Sequence, residues 1–188
     1  MTYADIIPTI LAAVPSLAVA VWSLCKTTKL HNKDQIKQEK RACAEDIKRK
    51  LETFYYPYLL IAKENTSLYT VFSQEHLAKD SNYRTLISLL LEKDFSKNDS
   101  AILERIVEND GLLKDLINTH ANVVDDREIR DLLIKSATHY AFIELAFKKR
   151  IIGEVERFEP YVHPNEVYGL VERKARELEK EMQDALKY

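Results

Sequence analysis

Hydrophobic and polar positions are distributed very unevenly along this chain. The stretch Ile6 to Cys25 is apolar without interruption by charge, its only polar side chains being Thr9, Ser16 and Ser23. A helix rising about 1.5 Å per residue needs roughly 20 such residues to cross the ~30 Å hydrocarbon core of a bilayer. Beyond Cys25 the pattern changes to aliphatic and aromatic positions spaced by threes and fours among many charges. That spacing predicts amphipathic helices throughout. The expected fold class is all-α: a single N-terminal transmembrane helix (1–25), a juxtamembrane stalk helix (26–53) and a cytosolic helical bundle (54–188).

The stalk is read as one helix from Lys29 to Lys63, with a seam of Ile36, Cys43, Ile47, Leu51, Phe54, Tyr58 and Ile61. Pro57 lacks a backbone donor and biases Tyr56 away from helical geometry, so a break or kink is expected there. Short helices are expected at Leu68–Leu77, started by Thr66 or Ser67, at Tyr83–Phe95, and at Ala101–Asn109 behind a Ser100 cap. Asn109-Asp110-Gly111 reads as a turn, followed by a helix over Leu112–Val124. Asp125 and Glu128 have capping-box spacing and open a long helix to Phe158, stopped by Pro160. The last helix, Asn165–Tyr188, carries a narrow seam of Val167, Val171, Ala175, Leu178, Met182 and Ala185. It can close on the bundle or pair with another copy, and the small, narrow seam favours another copy.

Charge gives the membrane helix a direction. Lys26, Lys29, Lys33, Lys37, Lys40 and Arg41 follow the apolar stretch, opposed there only by Asp34 and Glu39. Lys and Arg stay on the cytoplasmic side, so the N-terminus is expected outside and the C-terminal domain in the cytoplasm. Pro15 sits mid-span, where it kinks a helix. Ala12, Ala13, Ser16, Ala18 and Ala20 permit close approach of a second helix. A homo-oligomer is therefore expected, alongside the simpler reading of a tilted monomeric anchor.

Composition narrows the chemistry. The 188 residues contain three Gly, five Pro and two Cys, with a formal net charge of −2. So little glycine disfavours all-β folds and glycine-rich phosphate loops. There is no HExxH, CxxC, GxSxG, Walker or GxGxxG pattern, and the five histidines are scattered. No catalytic residue, metal ligand or cofactor is assigned, and the chain is not read as an enzyme. The candidate ligand site is the cation cluster Lys148, Lys149, Arg150 and Arg157 beside Tyr161 and His163, suited to phosphate with an aromatic stacking on a base. The bland reading is a solvated face matched by Glu154, Glu156 and Glu159. Tyr55 and Tyr56, in the run Phe54-Tyr55-Tyr56-Pro57-Tyr58-Leu59, are further candidates, as a stacking site or as a core aromatic knot.

The membrane helix, the charged stalk and FYYPYL at Phe54–Leu59 together resemble small bacterial inner-membrane effectors of anti-phage defence. That resemblance implies a cytosolic domain that senses a nucleotide or oligonucleotide and a membrane part that perturbs the inner membrane or opens a pore in it. It carries over no functional residue. The alternative is a passive membrane tether that docks a cytosolic protein partner.

Overall fold

A computed structural model describes Lys26 and residues 33–187. The transmembrane segment expected at 1–25, with its kink at Pro15, lies outside them. Among the described residues every regular element is helical, and no helix is long and apolar enough to cross a membrane. The chain divides into two compact units. The smaller contains residues 33–46 and 182–187, which are helical apart from residue 187. The larger is Ile47–Glu181 and holds the candidate site.

Helix α1 (33–50) leads into a π-helical turn at Leu51–Tyr55, and α2 follows without a break from Tyr56 to Lys79. The break expected at Pro57 is absent, and the π turn is the physical reason. In a regular α-helix the Pro57 ring would press on the carbonyl of Thr53, four residues back. Here the Tyr56 N–H reaches five residues back, to the Leu51 carbonyl. The wider turn accommodates the ring. Thr66 and Ser67 are not caps. They lie mid-helix, and their hydroxyls donate to the carbonyls of Ala62 (2.8 Å) and Lys63 (3.0 Å), the local bond that lets such residues sit inside helices.

Helix α3 is short, Thr85–Leu90. Helix α4, Lys97–His120, begins at Ser96, whose Oγ accepts the Asp99 N–H at 3.1 Å. It runs straight through Asn109-Asp110-Gly111, so the two helices expected on either side of that tripeptide are one. Helix α5, Arg127–Phe147, is capped by Asp126, which accepts the Ile129 N–H at 3.1 Å. It ends eleven residues before the expected Phe158. Helix α6 is a single turn, Val155–Phe158, and α7 spans Val167–Leu186. Within the larger unit α4 packs against α2 and α5, and α3 packs against α5 and α6. Val167, Val171, Ala175 and Leu178 are buried by the chain itself. That half of the last seam is covered within the chain, where pairing with another copy was favoured.

Two of the helix ends use the same device. The Arg150 N–H bonds the Leu145 carbonyl and the Lys149 N–H bonds that of Ala146; at the end of α3, Lys93 bonds Ser88 and Glu92 bonds Leu89. Both are Schellman caps, in which the residue after the helix turns left-handed. That residue is Lys149 (φ 53°) in one and Glu92 (φ 50°) in the other. The two side chains face each other, Lys149 Nζ to Glu92 Oε1 at 3.6 Å. A left-handed non-glycine residue costs about 1 kcal/mol, while an exposed ion pair contributes at most about that. The double variant Glu92→Gly, Lys149→Gly is therefore expected to raise stability by roughly 1 kcal/mol, read as a higher urea midpoint at unchanged slope.

Candidate functional site

The apolar spacing of α2, α4 and α5 turns one face of each helix toward a shared cavity of about 550 Å³. Tyr58, Ala62, Asn65 and Tyr69 come from α2 at steps of four, three and four. Ile106, Asp110 and Leu113 come from α4, and His139, Tyr140 and Ile143 from α5. Tyr83, Arg84, Thr85, His163 and Tyr168 also line the cavity.

Asp110 is the unexpected member. It lies in the register Leu103, Ile106, Asp110, Leu113, Ile117, where every other position is a buried aliphatic. The carboxyl is 4% exposed. Asn65 Nδ2 donates to its Oδ1 at 2.7 Å. Burial raises its pKa to about 8, against the opposing pull of the Asn65 bond.

A polar chain crosses the cavity beside it. The Tyr140 hydroxyl lies 3.0 Å from His163 Nε2 and is also coupled to the hydroxyl of Tyr58. Burial pushes both phenols above their ordinary range, so they stay protonated. His139 Nδ1 lies 2.8 Å from the Tyr161 carbonyl. A carbonyl only accepts, so Nδ1 carries the proton and donates. Burial lowers the His139 pKa, and it lowers that of His163 to about 4 with help from the neighbouring His139. Both imidazoles are neutral at pH 7. One further buried atom in the lining, Asn65 Oδ1, finds no hydrogen-bond partner among the described residues, while the Tyr83 hydroxyl lies within reach of Ser88 and Thr85. Buried polar atoms of this kind are ordinarily satisfied.

The residues singled out from sequence are placed differently. Lys148 pairs with Glu144 at 2.6 Å, and Lys114 on α4 reaches the same carboxylate at 2.6 Å, holding it down at a pKa of about 2. Lys149 faces Glu92. Arg157 pairs with Glu154 at 2.8 Å and lies over the Phe158 ring. Arg150 is exposed beyond the α5 cap. Tyr161 packs its ring against Phe142 at 4.9 Å. Tyr55 is buried in the core, its pKa raised to about 12 mainly by that burial, whereas Tyr56 is exposed and donates to Glu179 at 3.0 Å. Of these eight residues only His163 lines the cavity. His139 and Tyr140 of α5 also line it.

Among the described residues Asp110 is the one carboxyl in the lining, which also holds His139 and His163. Among the described residues no group of three or more His, Cys, Asp or Glu is placed to hold a metal ion. Comparison with protein-family models, curated proteins and solved structures yields no match.

Proposed function

We propose that this chain is a membrane-anchored, ligand-controlled effector whose helical domain takes a small molecule into the cavity between α2, α4 and α5. The observation that carries this reading is the cavity itself: large enough for a small ligand, mostly apolar, with a few converging polar groups and one strongly perturbed carboxyl. Ligand is assigned to the cavity in preference to the cation cluster, because Glu144, Glu92 and Glu154 already engage Lys148, Lys149 and Arg157.

The rest of the proposal rests on sequence. The apolar stretch Ile6–Cys25 serves as a single-pass anchor in the bacterial inner membrane, and the basic run after it keeps the helical domain cytoplasmic. A ligand acts by differential affinity for two assemblies of the chain. The output is a change in how the Pro15-kinked anchors of a homo-oligomer associate, which perturbs the membrane or opens it. The defence role is the one implied by the resemblance to anti-phage effectors.

Membrane potential in expressing cells tests it. Wild-type chain is expected to depolarise the membrane when triggered. Pro15→Leu and the cavity-filling Ile106→Trp should each lose most of that response while still reaching the membrane. No depolarisation under any trigger, with both variants indistinguishable from wild type, would leave a passive tether for a protein partner as the better description.

A further inference from the structure

Resting on the cavity as the ligand site, we propose that its ligand is a small organic ammonium ion, held by the Asp110 carboxylate and enclosed by tyrosine rings. Among the described residues five tyrosines line the cavity: Tyr58, Tyr69, Tyr83, Tyr140 and Tyr168. Tyr58, Tyr83 and Tyr140 are each at most 5% exposed. Aromatic faces attract a cation electrostatically, and more strongly when water is excluded. Tyr58 and Tyr140 lie close enough to Asp110 to feel its charge, and Tyr83 stacks on His76 at 4.7 Å, so the rings nearest the carboxyl that can serve an ammonium group are those of Tyr58 and Tyr140.

The charges around Asp110 point the same way. Its hydrogen bond from Asn65 comes from a neutral amide. Arg84, among the described residues the one Lys or Arg in the lining, is itself exposed, and its guanidinium donates to the Tyr83 carbonyl at 3.1 Å. The His139 proton is committed to the Tyr161 carbonyl, and both lining histidines are neutral. A buried carboxyl is therefore set among neutral groups at a position where its neighbours in the helix are aliphatic. A neutral ligand would be served as well by Asn or Ser, which bury at far lower cost. Without a ligand the buried acid keeps its proton at neutral pH, and a cation bound beside it draws it into the ionised form, whereas an anionic ligand would hold it neutral. What a carboxylate supplies here, and an amide does not, is a counter-charge. The unpartnered Asn65 Oδ1 can accept an N–H group of a primary ammonium.

The test uses the full chain in detergent micelles and calorimetric titration. The probes are choline, its uncharged isostere 3,3-dimethylbutan-1-ol, phenethylammonium and acetate, each raised to roughly 10 mM so that even a Kd of about 1 mM is read. At least one ammonium is expected to bind saturably, with choline about tenfold tighter than its isostere. Asp110→Asn should bring the ammonium down to the level of the isostere. Tyr58→Phe, which keeps the ring, should bind within about twofold of wild type, and Tyr58→Leu should lose several-fold. The isostere comparison is made on wild-type protein and so decides the matter whether or not Asp110→Asn folds. Equal binding of choline and its isostere, or saturable binding of acetate alone, overturns the ammonium assignment and leaves the cavity as a ligand site. No saturable binding of any probe overturns the ammonium assignment; if Ile106→Trp also leaves membrane potential unchanged, the cavity reading falls with it.

Discussion

Between pH 6.5 and 8 the protein is expected to lose roughly 1 kcal/mol of stability, and Asp110→Asn to abolish that loss. The carboxyl has an ordinary value of 3.8 and a folded value of about 8. Between those values the folded chain holds a proton that the unfolded chain has released. Stability is thus full below pH 3.8 and falls as pH rises, by up to about 1.4 kcal/mol per pH unit. His163 works in the opposite sense. Its folded value of about 4 lies below its ordinary 6.5, so the unfolded chain binds the extra proton and stability falls as pH drops through that window. His139, also lowered, adds to the acid-side loss. Below 6.5 the opposing slopes offset each other, and above it the histidine slope dies away within about one pH unit and Asp110 dominates. Glu144, held near 2, is ionised in both states there and adds no slope. Asn keeps the shape and an oxygen for the Asn65 amide without a titrating proton. Urea midpoints at pH 6.5, 7.2 and 8 measure the effect, and an equal fall in both proteins would rule out Asp110 as its source.

Phe54→Ala is expected to cost about 3–5 kcal/mol, against under about 1 kcal/mol for Tyr56→Ala two residues on. Phe54 is 0% exposed, edge-on to Tyr55 at 5.4 Å and stacked on Tyr58 at 5.6 Å. Removing its ring leaves a cavity in the core and takes the backing from Tyr58, which forms part of the candidate site's wall. Tyr56 is 42% exposed and holds one surface hydrogen bond. Chemical denaturation of the two variants separates a core knot from a surface aromatic cluster. A loss below about 1 kcal/mol for Phe54→Ala would show that neighbouring rings close over the gap.

The all-α class was legible because charges and aliphatics alternate at helical spacing nearly everywhere and glycine is scarce. The ends of the helices were not. Asn109-Asp110-Gly111 has the chemistry of a turn, yet tertiary packing on α2 and α5 carries α4 straight through it. The end of α5 was hidden for the converse reason, since its left-handed cap residue is Lys149 where glycine would have advertised the stop. The site was missed through the same tripeptide. Asp110 read as a turn residue cannot also be read as a carboxyl in an aliphatic register. The signal was present in the spacing from Leu103 through Ile106 to Leu113 and Ile117, and it becomes visible only once α4 is one helix. The cation cluster was conspicuous in sequence because its acidic partners Glu92 and Glu144 stand apart from it, one on another element and one a turn earlier.

The π turn at Leu51–Tyr55 has a bearing on ancestry. A π turn is what a helix makes of one surplus residue, and such turns occur often beside functional sites. A chain one residue shorter between Lys50 and Pro57 would wind regularly, and its proline would then press directly on the backbone before it. Kindred proteins that keep the proline should therefore keep the surplus residue, and those that have dropped the one should have dropped the other.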